Sequence, residues 1–145
     1  WLYSQFGHNF FKTILNKAGK GEELNITTAQ KGAPTNANHL AALVLKLIKE
    51  RNTSFGTYHF SNTGETTWYG FADEILRISG NRDKTKLNRD NSYKTIAERP
   101  AYSVLNTSKV ENTFNFSISS WQEAVKQLYD EHFSGITHSG PDINK

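Results

Sequence analysis

Trp1-Leu2-Tyr3-Ser4-Gln5-Phe6-Gly7-His8-Asn9-Phe10-Phe11-Lys12-Thr13-Ile14-Leu15 opens on an apolar, aromatic triplet of strand type and passes through a Gly-His-Asn break into a helical pattern. Phe6, Phe10, Ile14 and Ala18 recur every four residues, with Phe11 and Leu15 beside them, which is one apolar helix face. Asn9 has the short polar side chain that caps a helix start, and Gly19 or Gly21 suits its stop. A strand feeding into an amphipathic helix is the repeating unit of α/β architecture, and the rest of the chain continues in that manner.

Leu24-Asn25-Ile26-Thr27 alternates as a half-buried strand does. Gln30-Lys31-Gly32-Ala33-Pro34-Thr35 reads as loop. Leu40, Leu43, Val44, Leu47 and Ile48 fill one face of a second helix. Thr57-Tyr58-His59-Phe60 is strand-prone. A third helix begins near Thr66 or Thr67, buries Trp68, Phe71, Ala72 and Ile75, and stops at Gly80. Residues 81–100 are polar, with room for one strand before Pro100. Asn106 caps a short helix ending near Phe114, with Asn115 in the left-handed position. Ser120-Trp121-Gln122-Glu123 is a capping box opening the last helix, whose face is Trp121, Ala124, Val125 and Leu128. From Ser134 to Lys145 the chain reads as a disordered tail. The expectation is an α/β chain with few short strands and about five helices, too little strand for a sheet that stands alone.

With 145 residues, 36% of them hydrophobic, the chain is the size of one domain with its own core. The net charge of +3 is dispersed, so the concentrated basic surface that binds nucleic acid is not expected. There is no Cys, hence no disulfide framework and no thiolate metal site. No apolar run approaches the ~20 residues that span a bilayer, and no signal-peptide pattern opens the chain, so no membrane partner and a cytoplasmic location are expected. The absence of Met and the start at Trp1 read as a piece of a longer protein. The five His residues are scattered without ligand spacing, so no metal site is expected. Gly19-Lys20-Gly21 lacks the third glycine and the preceding strand of a dinucleotide loop.

Six strings carry more. They are Trp1-Leu2-Tyr3, His8 to Leu15, Gln30 to Thr35, Thr57 to Asn62, Gly64-Glu65-Thr66-Thr67-Trp68-Tyr69 and Arg99-Pro100-Ala101-Tyr102-Ser103-Val104-Leu105-Asn106-Thr107-Ser108-Lys109. In this order they resemble the dTDP-4-dehydrorhamnose reductase family of extended short-chain dehydrogenases/reductases, from Trp1 to about Phe133. The resemblance implies that residues 1–133 are the sugar-nucleotide-binding, C-terminal part of such an enzyme. A preceding Rossmann half would hold NADPH or NADH and supply a Tyr-x-x-x-Lys pair, in which the Tyr protonates the substrate carbonyl as hydride arrives. None of the six Tyr residues here has Lys four positions on. The chain is therefore expected to be inactive alone, with its catalytic residues, cofactor site and principal partner in the missing half. Magnesium dependence stays open.

The resemblance also places ligand-binding residues. Trp1 would lie against the sugar ring, where a flat indole suits the apolar face of a deoxyhexose; a core Trp is the alternative. Arg99 would meet the pyrophosphate through its guanidinium fork, or else is a surface residue. Gln30 and Thr35 would border the nucleotide. Trp68 and Trp121 read as core, and Asn9 as a helix cap. Two positions depart from the family pattern: His39 where an acidic residue is common, and Gly70 where Glu would complete a capping box. Two other readings remain open: a non-catalytic binding or regulatory subunit on the same scaffold, and a sister enzyme acting on another nucleotide sugar. Without its other half the chain is expected to expose apolar surface, at Leu2, Tyr3 and the aromatic face of the first helix, and to self-associate.

Overall fold

The computed structural model describes residues 1–92 and 97–135. The expected tail therefore lies outside the described residues from Ile136 onward. Each helix forms where the apolar spacing places it. α1 (Phe10–Gly19) is capped by Asn9, whose side chain accepts the Lys12 amide. α2 is Ala37–Lys49, α3 Trp68–Ile78, α4 Ser108–Phe114 and α5 Trp121–His132. The capping box at α5 is complete: Ser120 Oγ accepts the Glu123 amide and Glu123 accepts the Ser120 amide. Asn115 ends α4 at φ 45° and ψ 53°, in the left-handed region.

The strands are short and paired at long range. β1 (Leu2–Tyr3) runs parallel to β4 (Thr35–Asn36), and β2 (Leu24–Ile26) parallel to β6 (Leu87–Arg89). β3 (Lys31–Gly32) runs antiparallel to β5 (Thr66–Thr67), with Lys31 opposite Thr67. Four expectations need correction. Asn106 is not the cap of α4: Thr107 stands at the N-cap without a side-chain cap bond, and Asn106 Oδ1 accepts the Ser108 amide in the preceding turn. The stretch from Gln30 to Thr35 holds β3 and the start of β4, because residues far along the chain supply their partners. Thr57 to Phe60 forms no strand; the pairing lies just beyond it, where Thr63 bridges Ser120. Phe6 is 72% exposed in the loop before α1 and contributes nothing to the helix face.

One apolar core joins α1, α3 and α5 through Phe11, Ile14, Phe71, Ile75, Val125 and Leu128. Tyr3 is buried among Phe11 and Phe71, and burial pushes its phenol far above the ordinary value, so it stays neutral. A second, smaller cluster gathers Leu43, Val110, Phe114 and Ile118. Buried Asn62 ties the two regions. Its Oδ1 accepts the Asn36 amide at 2.9 Å and its Nδ2 donates to the Ser119 carbonyl at 3.2 Å. α2 departs from its expected face. Leu43 points inward, while Val44, Leu45 and Ile48 are 46%, 55% and 66% exposed. With Ala41 also exposed, these make an apolar stripe on the side turned away from the core. Among the described residues no helix is long and apolar enough to cross a membrane.

Candidate functional site

The antiparallel pairing of β3 and β5 has a third participant. The Lys31 amide donates to the Ala101 carbonyl, and the Ser103 amide donates to the Lys31 carbonyl. Residues 101–103 thereby lie parallel to β3. This small patch sets the register of three side chains. Gln30 immediately precedes Lys31, Trp68 immediately follows Thr67, and Arg99 stands two residues before Ala101. All three line one cleft of about 570 Å³.

The cleft has an apolar floor and a polar rim. Phe10, Ile26 and Trp68 form the floor, and Asn25, Thr27, Gln30, Asp90 and Arg99 the rim. Trp68 is held from two sides: its indole N–H donates to Gln30 Oε1 at 3.0 Å, and its face stacks on Trp1 with ring centres 3.8 Å apart. Phe10 leans on it at 4.7 Å. Gly32 allows the stack, since a Cβ there would lie 2.7 Å from a Trp1 ring carbon. Asp90 accepts from the Ser92 amide and hydroxyl, and these bonds keep its carboxyl below the ordinary carboxylate value. Among the described residues no hydrogen bond or ion pair engages the exposed Arg99. The rim thus presents one cation and one fixed anion over an aromatic floor, a surface able to take a ring system carrying both acidic and hydrogen-bonding groups.

Of the four residues singled out in the sequence, the structure brings Gln30 and Arg99 into this cleft. Trp1 and Thr35 line a neighbouring cleft of about 370 Å³, beside Leu2 and Leu105. Trp68 lines the first cleft and Trp1 the second, and the two indoles stack on each other. Thr35 is buried, and its hydroxyl donates to the Ala33 carbonyl at 3.1 Å. Trp121 is core as expected. Trp68 is not only core: it packs against the core while remaining half-buried as the cleft floor. Sequence reasoning missed this role, and also Asn25, Thr27 and Asp90. The alternation from Leu24 to Thr27 does mark Asn25 and Thr27 as the face opposite Leu24, but nothing local aims that face at Arg99. Among the described residues no group of acidic or His side chains could hold a metal ion.

The fold is that of an extended short-chain dehydrogenase/reductase, and the cleft lies where its short strands meet its helices. The chain belongs to the RmlD substrate binding domain family, whose model matches residues 1–133. It is 36% identical over 143 residues to a dTDP-4-dehydrorhamnose reductase of Escherichia coli K12, covering 92% of this chain and 48% of that one. Among solved structures it is similar to a dTDP-4-dehydrorhamnose reductase from Bacillus anthracis in complex with NADP, at 30% identity and TM-score 0.80. The match covers 90% of this chain and 45% of that one. A dTDP-4-dehydrorhamnose reductase ortholog from Clostridium acetobutylicum matches at 37% identity and TM-score 0.78, over 90% and 46% of the two chains. The expected family and α/β fold are both borne out. The chain spans about half the length of the curated relatives it matches.

Proposed function

We propose that this chain is the sugar-nucleotide-binding part of a cytoplasmic, NADPH-dependent reductase that converts dTDP-4-dehydro-L-rhamnose to dTDP-L-rhamnose. The observation that carries the reading is the union of family and site: a substrate-binding-domain match over residues 1–133 with an aromatic cleft whose rim holds Arg99, an arginine with no bonded partner among the described residues. Arg99 is the group to meet the pyrophosphate, because a guanidinium pairs two phosphate oxygens at once. Trp68 offers an apolar floor to the bound ring system, and Asn25, Gln30 and Asp90 offer acceptors to its N–H or O–H groups. Trp1 supports that floor from behind and faces the second cleft, where a sugar ring could meet it.

The chain's own residues do not fit NADPH. Its longer helices turn their own caps onto the first turn: Asn9 at α1, Asn36 at α2, Thr67 at α3 and Ser120 at α5. No three-glycine turn precedes any of them. The cofactor, which would supply hydride, and the proton donor belong to the preceding half of the enzyme. That half would cover the free edge of β1 and the outer stripe of α2, since a two-stranded parallel sheet and a helix apolar on both sides are both normally buried.

The test is calorimetric titration of this chain with dTDP. Binding is expected, and Arg99→Ala should weaken it on the order of ten- to a hundredfold, the loss of a charge-assisted bond of ~1.5–3 kcal/mol. Absence of binding by the wild type, or an unchanged affinity in Arg99→Ala, would overturn the reading. Incubation with NADPH and dTDP-4-dehydrorhamnose should give no oxidation above a buffer blank.

A further inference from the structure

Arg99 must be held in place by something other than its own bonds, since none engages it among the described residues. The segment that follows it is pinned at its outer edge by three charged and polar side chains. Tyr102 Oη donates to Glu65 Oε2 at 2.9 Å, and Lys31 Nζ donates to Glu65 Oε1 at 3.1 Å. One carboxylate therefore ties the segment around Tyr102 to β3 and to the loop leading into β5. The backbone bonds of Lys31 to Ala101 and Ser103 lie directly beneath, and Ser103 Oγ adds a third bond to the Lys31 carbonyl at 3.2 Å.

We infer that Glu65 and Tyr102 are positioning residues for ligand binding: they latch residues 101–103 onto β3 and so fix where Arg99 presents its guanidinium. This rests on the reading of the cleft as the nucleotide-sugar site. A single exposed ion pair would contribute little. Here the carboxylate accepts two charge-assisted or phenolic bonds at once and acts on a segment that only a few backbone bonds hold. The two bonds keep the Glu65 carboxyl below its ordinary value and raise the Tyr102 phenol, so both stay in the bonding form around neutral pH. Exposure is what makes the latch useful, because the segment can be released without disturbing the core. The side chains of Lys31 and Glu65 are 53% and 42% exposed, and Tyr102 is 59% exposed.

The test compares the wild-type chain with Glu65→Ala, Glu65→Gln and Tyr102→Phe by hydrogen–deuterium exchange and by dTDP titration. Glu65→Ala and Tyr102→Phe should speed exchange severalfold or more across residues 98–105, including the Ser103 amide, while the helices keep their protection. The same variants should weaken dTDP binding by about three- to tenfold, and Glu65→Gln, which still accepts from Tyr102, should fall between them and the wild type. In an Arg99→Ala background the added weakening should vanish, because the latch acts through Arg99. Unchanged exchange across 98–105 would overturn the inference, as would equal weakening with and without Arg99. If the wild type binds no dTDP, the functional reading fails, whereas the exchange comparison still decides the latch.

Discussion

Gly32 shows how a single missing methyl group shapes the site. Its backbone is ordinary β structure, so its absence of a side chain is needed for space and not for conformation. Gly32→Ala should push Trp1 off Trp68 and loosen the hydrogen bond from Trp68 to Gln30. The expected result is a loss of the strong circular-dichroism signature of two stacked indoles, with the helical signal retained. An unchanged couplet would mean that Trp1 has room to yield. At this scale the sequence was readable wherever the cause is local. The caps at Asn9 and Ser120 and the left-handed Asn115 depend on neighbours within four residues. Trp68 packs against the core as expected, but its second face was not legible because it is made by Trp1 and Gln30, which are remote in the chain. Its place in the first turn of α3, following Thr66-Thr67, looks like any other apolar helix position. Arg99 carried no local sign either: its relevance came from the family string around Pro100, and its cleft came from pairings that only the folded chain displays.

Among the elements, the helices were legible and the smallest strands were not. A helix announces itself by a repeat contained within it. β3, β4 and β5 are two residues each, and they exist because Tyr3, Thr67 and Tyr102 bring partners to them. Thr57 to Phe60 has stronger strand propensity than any of these, yet no partner strand comes alongside. Propensity thus yielded to pairing. The junction between elements rests on Asn62, which serves the start of α2 and the approach to α5 at once. Asn62→Ala would leave the buried Asn36 amide without its acceptor, at a cost of about 1–3 kcal/mol. Ser120→Ala removes a cap at the surface and should cost about 1 kcal/mol. Urea denaturation of both variants should therefore rank Asn62→Ala as the more damaging. The reverse order would show that water replaces the lost acceptor at Asn36.

For the whole molecule, the deciding feature is what remains uncovered. Val44, Leu45 and Ile48 form a stripe next to the inward Leu43, so α2 is built to be flanked on two sides. The sequence pattern gave one broad apolar face and could not say that the core uses only part of it. Leu2 is exposed as expected, but Tyr3 and Phe11 of the first helix's aromatic face are buried because α3 and α5 cover them, so the chain by itself should associate through the α2 stripe at high concentration. Sedimentation should show a mass that rises with concentration, and Leu45→Lys with Ile48→Glu should restore the monomer with the helical content intact. A monomeric wild type that binds no apolar dye would show that the stripe is tolerated in water. The core has a different dependence, since α5 reaches back to close it against α1 and α3, and Ser120 pairs with Thr63 at its start. Translation runs from the N-terminal side, and Phe71 and Ile75 therefore emerge long before Trp121, Val125 and Leu128 do. Until then the nascent polypeptide holds an open apolar seat. A stop codon anywhere before Ser120 would release a product with no means of closing that seat, fit for proteolysis and not for assembly.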